Sequence, residues 1–293
     1  MYLVTGSRGL IGRALIGRMQ KAGQPFVEFD LKGPVPCDTR DRDALRRAMA
    51  GVRGVVHLAA VSRVVWAQQD PNKARAVNVE ATRQLIELMI ESNARPWLIF
   101  ASSREVYGEP HALPVREDAP QQPMNAYAES KVAGERLTAA ARDAGLCANV
   151  VRLSNVYGCV DDHVDRVVPA FARAAATGGS LRLEGPRNMF DFTHVDDVSR
   201  GIVRLIEATS AGERLEPIHL LTGRGTTLQR LAQLANDHAL QPLEMREAPP
   251  RNYDVSRFYG DTSRAEALLG WKSEIDIEAG FSRLTNAYRT CLV

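Results

Sequence analysis

Short apolar runs alternate with helical periodicity through the first half of the chain. The runs are four to six residues long and consist mostly of apolar or β-branched residues, which is typical of buried strands. They predict strands at residues 2–5, 26–30, 55–58, 97–101 and 148–153. Between them, apolar residues recur at helical spacing, as in residues 78–89. This alternation indicates an α/β protein with a Rossmann-type, doubly wound parallel sheet.

The pattern changes after residue 153, where Gly- and Pro-rich connections join short elements. Gly178-Gly179 and Pro249-Pro250 mark two of these connections. A helix near Val195 and a strand at 218–220 are expected to return to the large sheet. We therefore predict two domains, the second being a smaller C-terminal α/β domain. The larger domain is expected to contain residues 1–157 and 193–221, and the smaller one residues 158–192 and 222–293.

Composition and charge disfavour several classes of function. The 293 residues are 45% hydrophobic and 25% charged, which is ordinary for a globular protein in water. The formal net charge of +2 is not gathered into a block of like charges, so nucleic acid binding is not expected. No apolar run approaches the ~20 residues of a membrane span, and Met1 directly precedes the first strand, so we expect a cytoplasmic protein without membrane contact. The four cysteines lack C-x-x-C spacing, and no metal site is predicted.

Three glycines follow the first strand at three-residue spacing. Gly6 allows a sharp exit from the strand, Gly9 lets the backbone approach a ligand closely, and Gly12 lets the next helix pack on the sheet. The N-terminus of that helix favours a diphosphate. Asp30 ends the second strand eighteen residues after Gly12, where a carboxylate can accept the hydroxyls of an adenosine ribose. The larger domain is therefore expected to bind a dinucleotide, NAD or NADP.

The choice between NAD and NADP depends on charges near the ribose. Asp30 would repel a 2′-phosphate, which favours NAD. Arg8 in the glycine loop and Lys32 after Asp30 could instead reach such a phosphate. We predict NAD, and NADP stays open.

A tyrosine and a lysine lie one turn apart at the start of a predicted helix. Tyr127 and Lys131 share one helical face, and an ammonium close to a phenol favours the phenolate, so Tyr127 is a candidate base. Upstream, the strand at 97–101 stops before Ser102 and Ser103. Ligands of open α/β sheets gather at this carboxyl edge, so these groups are expected to meet at one site.

Further motifs follow along nearly the whole chain. Besides the glycine loop and Tyr127 to Lys131, they are His57-Leu58-Ala59-Ala60, residues 102–108, Arg152 to Gly158, Asp191 to Asp197 and Leu269-Gly270-Trp271. Together these motifs resemble the extended short-chain dehydrogenase/reductase family, the NAD-dependent nucleotide-sugar epimerases and dehydratases typified by UDP-galactose 4-epimerase.

The resemblance implies roles for individual residues. Ser103 would be the catalytic hydroxyl that orients the sugar, Tyr127 the general base, and Lys131 the residue that holds the nicotinamide ribose and lowers the tyrosine pKa. The full set of expected cofactor contacts is Gly6, Arg8, Gly9, Leu10, Ile11, Gly12, Asp30, Leu31, Lys32, Asp38, Thr39, Leu58, Ala59, Ala60, Asn78, Tyr127, Lys131 and Ser154. The expected substrate contacts are Ser103, Tyr127, Asn155, Arg187 and Arg251, the last matching a family arginine that pairs with the nucleotide phosphates.

The chain departs from the family pattern at two places. Phe190 stands where the family usually carries an arginine for the diphosphate, and Arg187, three residues upstream, is the candidate replacement. Arg104 stands where the related 4,6-dehydratases have a proton-donating Asp, which disfavours dehydration. The adjacent Glu105 is interpreted as structural.

The resemblance implies NAD-dependent epimerisation of a nucleotide sugar at C4, through a transient 4-keto intermediate. The alternatives within the family are a sugar dehydrogenase, a 4-keto-sugar reductase or a decarboxylase. An alternative from another class is a non-catalytic NAD(P)-sensing protein. Family members commonly pair through two helices, so a homodimer is expected through residues 79–89 and 127–141.

Overall fold

The computed structural model of this chain describes residues 1–249 and 255–291. Its strands are β1 (Tyr2–Thr5), β2 (Phe26–Phe29), β3 (Gly54–His57), β4 (Trp97–Ser103), β5 (Ala148–Leu153), β6 (Asn155–Tyr157), β7 (Ser180–Glu184), β8 (Met189–Phe190), β9 (Phe192–His194), β10 (Ile218–His219), β11 (Thr226–Thr227) and β12 (Glu244–Ala248). Its α-helices are α1 (Leu10–Lys21), α2 (Arg42–Ala48), α3 (Val64–Gln69), α4 (Pro71–Arg75), α5 (Ala81–Glu91), α6 (Ala126–Asp143), α7 (Val167–Thr177), α8 (Val195–Ser210), α9 (Leu228–His238), α10 (Ser263–Leu269) and α11 (Ile277–Cys291). Within the described residues, no helix combines the length and the apolar character needed to cross a membrane.

The central sheet has six strands in the order β10-β5-β4-β3-β1-β2, and every neighbouring pair is parallel. The predicted α/β fold with a doubly wound parallel sheet is therefore confirmed. Strand β1 lies between β2 and β3. The strand order therefore runs to one side of β1 for β2 and to the other side for β3, β4, β5 and β10. A crevice opens at such a switch point, outside the carboxyl ends of the strands, and it is where ligands of these sheets bind.

Helices cover both faces of the sheet because each has one apolar side. On one face, Leu15 and Met19 of α1 pack with Ile202 and Leu205 of α8. On the other face, α2, α5 and α6 cover the strands, and their buried residues include Leu45, Leu85, Met89 and Ala141. The sheet is thus shielded from water on both sides, which explains why its strands are continuous apolar runs.

A second hydrophobic core is formed by α7, α9, α11 and β7. Phe171, Leu231 and Phe281 are among its buried residues. The division of the chain into two domains at the predicted boundaries stays a prediction. Leu269 and Trp271, which that division assigns to the smaller domain, pack in the core of the large sheet with α8.

Candidate active site

Two glycines of the loop after β1 are required by the packing of the chain itself. Gly6 has φ +68°, and a Cβ there would lie 2.7 Å from the backbone nitrogen of Ala59, after β3. A Cβ on Gly12 would lie 2.2 Å from the carbonyl oxygen of Gly6. The loop therefore fits tightly between β3 and α1, and any larger residue at these positions would separate them.

Gly9 has no such packing requirement. Its φ is −74°, and a Cβ would meet only the Gly6 carbonyl oxygen, at 3.4 Å. Gly9 caps α1 without a side-chain hydrogen bond, and the first N–H groups of a helix lack partners within it. The Ser7 hydroxyl beside it is buried without a hydrogen-bond partner among the described residues. This loop, with Leu10 and Ile11 on the first helical turn, fits the pyrophosphate of a dinucleotide.

Asp30 is fixed at the end of β2 by the backbone. Its two carboxylate oxygens accept hydrogen bonds from the backbone nitrogens of Arg8, at 2.9 Å, and Lys32, at 2.8 Å. The Arg8 guanidinium lies 3.3 Å from the Glu28 carboxylate, while Leu31 is exposed. The carboxylate is therefore held beside the glycine loop, where a ribose would follow the pyrophosphate.

Asp38 and Thr39, which the family resemblance assigns to the adenine of the cofactor, lie on the loop that follows Asp30. The backbone nitrogen of Cys37 donates to the Asp30 carbonyl oxygen at 2.9 Å, which folds this loop back. The Asp38 carboxylate accepts a hydrogen bond from Arg40 at 2.6 Å, and that bond lowers the pKa of Asp38. Thr39 next to it is buried. Asp38 is therefore held in place and charged at neutral pH.

The Asn78 side chain holds the backbone of the segment that follows β3. It lies in a π-helical turn, residues 76–80, and its amide accepts from the Val61 nitrogen at 2.7 Å and donates to the Val61 oxygen at 3.1 Å. It also donates to Ser130 of α6 at 2.9 Å. Asn78 thus fixes the segment after β3, which includes the half-buried residues 58–60, against α6.

The expected catalytic side chains meet at the carboxyl end of β4. Ser103, the last residue of β4, is hydrogen-bonded to the Tyr127 side chain. The Lys131 ammonium donates to the Ala101 carbonyl oxygen at 2.9 Å and lies 5.7 Å from the centre of the Tyr127 ring. All three side chains are buried, with Tyr127 at 8% exposure. Residues from β4 and from the first turns of α6 thus form one cluster.

The pKa of Tyr127 is shifted in the direction opposite to the sequence-based expectation. Burial raises the pKa of Tyr127 to about 12, although its hydrogen bond with Ser103 acts in the lowering direction. Burial also lowers the pKa of Lys131 to about 8, and the nearby Glu135 carboxylate opposes that effect. The expectation of a lowered tyrosine pKa considered only the ammonium one turn away. It left out the loss of water around the phenol, which disfavours the phenolate.

A cavity of about 1190 Å³ opens beside these side chains. Its lining includes Ser103, Tyr127, Ser154 and Asn155, and the Ser154 hydroxyl is buried without a partner in the described part of the chain. The cavity is large enough for a nucleotide sugar.

Of the two arginines expected at the diphosphate, the structure describes only Arg187. Arg187 is exposed in the turn before β8 and lies outside the described residues that line the cavity. Arg251 falls outside the residues that the structure describes. The position of the missing family arginine, Phe190, does line the cavity.

Arg104 and Glu105 were both singled out in the sequence, but their pairing in the cavity wall was not predicted. Arg104 and Glu105 both line it, and their guanidinium and carboxylate lie 2.8 Å apart. The guanidinium carbon is 4.8 Å from the centre of the Phe190 ring, and its Nη1 atom is buried without a hydrogen-bond partner among the described residues. The sequence contains a signal for this position. Two charged residues directly follow Ser103 at the carboxyl edge of the sheet, and ligands of open α/β sheets bind at that edge.

The parallel sheet, the glycine loop and the Ser103, Tyr127 and Lys131 cluster define an extended short-chain dehydrogenase/reductase. A family model described as the NAD dependent epimerase/dehydratase family matches residues 2–220. The chain belongs to this family.

Individual relatives agree along the whole chain. The UDP-glucose 4-epimerase of Mycolicibacterium smegmatis is 30% identical, with 98% of each chain covered. The solved UDP-glucose 4-epimerase of Thermotoga maritima with UDP-glucose superposes with a TM-score of 0.91 at 25% identity, covering 100% of this chain and 99% of the other. MoeE5 in complex with UDP-glucose and NAD gives a TM-score of 0.90 at 26% identity with the same coverage. It has also been solved with UDP-glucuronic acid and NAD.

Proposed function

We propose that this protein catalyses NAD-dependent epimerisation of a nucleotide sugar at C4, through a transient 4-keto intermediate. The observation that carries the proposal is the buried cluster of Ser103, Tyr127 and Lys131, of which Ser103 and Tyr127 line the cavity, in a parallel sheet whose first strand leads into a loop that fits a dinucleotide. Relatives that match over the full length are named UDP-glucose 4-epimerases.

Each side chain has a task in this reaction. The Tyr127 phenol exchanges a proton with the 4-hydroxyl of the sugar, and Ser103, which is hydrogen-bonded to it, orients that hydroxyl. The hydrogen bond from the Lys131 ammonium to the Ala101 carbonyl oxygen positions this side chain. Lys131 holds the nicotinamide ribose and favours the phenolate of Tyr127. The glycine loop, Asp30 and Asp38 hold the adenosine diphosphate half of the cofactor. Bound NAD supplies the reversible oxidation and reduction of C4.

The test is product analysis with defined nucleotide sugars. Purified protein is incubated with UDP-glucose or UDP-galactose and the two epimers are separated by chromatography. Conversion of each sugar into the other, without net accumulation of NADH, is the expected result. Stoichiometric NADH formation would instead identify a sugar dehydrogenase. No turnover with any nucleotide sugar, while NAD still binds, would leave the non-catalytic sensing protein.

A second candidate substrate is a nucleotide-linked uronic acid, and Arg104 favours it. Its buried Nη1 atom has no partner among the described residues, and a carboxylate forms strong hydrogen bonds with a guanidinium. Glu105 disfavours a uronic acid, because its carboxylate already pairs with Arg104 and would repel the carboxylate of the sugar. The ratio of kcat/KM for UDP-glucuronate and UDP-glucose decides between the candidates. If the uronate is the substrate, Arg104→Met lowers that ratio by roughly tenfold or more.

We propose a cytoplasmic homodimer, with no nucleic acid or membrane partner. The larger domain, residues 1–157 and 193–221, would bind NAD, and the smaller one, residues 158–192 and 222–293, the substrate. Arg251 is proposed as a phosphate contact and Arg187 as a replacement for the missing family arginine.

A further inference from the structure

Three side chains on one face of α6 contact three consecutive residues at the end of β4. Tyr127, Lys131 and Glu135 follow each other at four-residue spacing, so they lie one turn apart on the same face. Their partners on β4 are, in the same order, Ser103, Ala101 and Ser102. Helix and strand are therefore joined by polar contacts at the point where the proposed chemistry takes place.

Glu135 forms the most extensive of these contacts. Its Oε1 atom accepts from the Ser102 hydroxyl at 2.5 Å and from Arg152 Nε at 2.9 Å. Its Oε2 atom accepts from Arg152 Nη2 at 2.7 Å and from Gln121 at 2.6 Å. The carboxylate is buried, and the Arg152 guanidinium beside it balances its charge. A buried carboxylate held by four donors has little freedom to move.

Neither Ser102 nor Glu135 belongs to the described residues that line the cavity, whereas Ser103 and Tyr127 do. The Ser102 hydroxyl is bonded to Glu135 away from the cavity, whereas the Ser103 side chain contacts Tyr127 at the cavity wall. Ser102 and Glu135 therefore act on the helix and the strand, not on the substrate.

Apolar packing sets how closely α6 approaches β4. Gly134 is packed on Phe100, since a Cβ there would lie 2.2 Å from the tip of the ring. This contact sets the distance between the helix and the strand. The hydrogen bond between Ser102 and Glu135 is directional and also fixes the position along the strand. Glu135 is eight residues from Tyr127, about 12 Å along the helix, so a shift at one end is transmitted to the other.

We propose that Ser102 and Glu135 are positioning residues that hold the Tyr127 phenol in register with the Ser103 hydroxyl. The inference rests on the proposed function, because it assigns catalytic work to Tyr127 and Ser103. It adds two residues that do not line the described cavity and are not among the expected cofactor contacts. A misplacement on the order of 1 Å is enough to reduce the rate up to about a hundredfold.

The test variant is Ser102→Ala, which removes one hydroxyl and leaves the Arg152 and Gln121 bonds of Glu135 in place. We expect kcat to fall by roughly 10- to 100-fold, while KM and the dissociation constant of NAD change less than about threefold. Ser102→Thr retains the hydroxyl and is expected to restore most of kcat. The matched control is Thr138→Val on α6, because the buried Thr138 hydroxyl donates only within its own helix, to Gly134. This control is expected to retain the wild-type kcat.

Crystal structures of the wild type and Ser102→Ala provide a readout that does not depend on turnover. A longer separation of Tyr127 from Ser103 in the variant supports the proposal. An unchanged separation, a wild-type kcat in Ser102→Ala, or an equal loss of kcat in Thr138→Val contradicts it. A wild type that does not epimerise any nucleotide sugar contradicts the proposed function instead, and the two structures still decide the positioning role.

Discussion

At the scale of single residues, the Tyr127 phenol is the group on which turnover depends. Tyr127→Phe removes one oxygen and leaves the ring in its buried place. We expect kcat to fall by a factor of about 10² to 10⁴, the usual contribution of a general acid–base group, with NAD affinity largely intact. Lys131→Met is expected to lower both kcat and the affinity for NAD. Steady-state rates and equilibrium titration with NAD measure the two effects, and near-normal turnover of the Phe variant would show that another group is the base.

Asp30 governs the choice of cofactor. Its carboxylate is fixed by two backbone nitrogens, and the nearby Arg8 cation is paired with Glu28, so the local charge disfavours a 2′-phosphate. We expect the wild type to bind NAD at least about tenfold more tightly than NADP, the effect of roughly one unfavourable charge contact. Asp30→Ala is expected to narrow this ratio. Calorimetric titration of both variants with both cofactors measures it, and tighter NADP binding by the wild type would reverse the assignment.

At the scale of elements, the glycine loop separates a packing role from a binding role. A Cβ on Gly12 collides with the Gly6 carbonyl, so Gly12→Ala is expected to lower the unfolding free energy by about 1–3 kcal/mol. A Cβ on Gly9 has room within the chain, so Gly9→Ala is expected to leave thermal stability unchanged and to weaken NAD binding by about tenfold or more. Thermal unfolding and NAD titration of both variants test the distinction. Equal NAD affinity in Gly9→Ala and the wild type would remove Gly9 from the cofactor site.

At the scale of the whole molecule, two buried histidines link stability to pH. Burial lowers the pKa of His57 and of His219 to about 3, against about 6.5 in the unfolded chain. The unfolded chain therefore binds more protons between pH 6.5 and pH 3, and the unfolding free energy falls as the pH falls through this window. From pH 7 to pH 5 we expect a loss of roughly 2 kcal/mol per histidine.

Urea denaturation at the two pH values measures this loss. His57→Asn is expected to reduce the difference between pH 7 and pH 5 by the share of one histidine, whatever its effect on stability at pH 7. The exposed His111 provides the control, and His111→Asn is expected to retain the full difference. Identical pH dependence in the wild type and His57→Asn would show that His57 is not kept neutral by burial.

The proposed dimer involves the outer surfaces of α5 and α6. Gly134 and Ala141, two of the small residues on α6, are buried against the sheet, whereas Ala140 is exposed. We expect light scattering to give twice the 32.2 kDa mass of the chain. Ala140→Glu is expected to shift the protein towards a monomer, because it places a charge in the interface between the two copies. Ala279→Glu, at an exposed position on α11, is the control and is expected to remain dimeric. A monomeric wild type at high concentration would contradict the pairing.

Much of the fold was predictable from the sequence because its signals are local. The five predicted strands are found within two residues of their expected ends, and the strand expected at 218–220 joins the large sheet next to β5. Each βα unit is continuous in the chain, so periodicity alone identifies it. The spacing of Gly6, Gly9 and Gly12, and of Tyr127 and Lys131, is likewise local, because it depends on a turn and on one helical face.

Other features were decided only by tertiary structure, because they depend on residues distant in the chain. Burial among several elements raises the pKa of Tyr127, although its neighbour on the helix predicted the opposite direction. The Asn78 side-chain amide is hydrogen-bonded to the backbone of Val61, and the Arg104 guanidinium lies over the Phe190 ring. Desolvation and directional contacts across more than ten residues of chain leave no periodic trace in a sequence, so the direction of the pKa shifts and the alignment of the site followed only from the packed molecule.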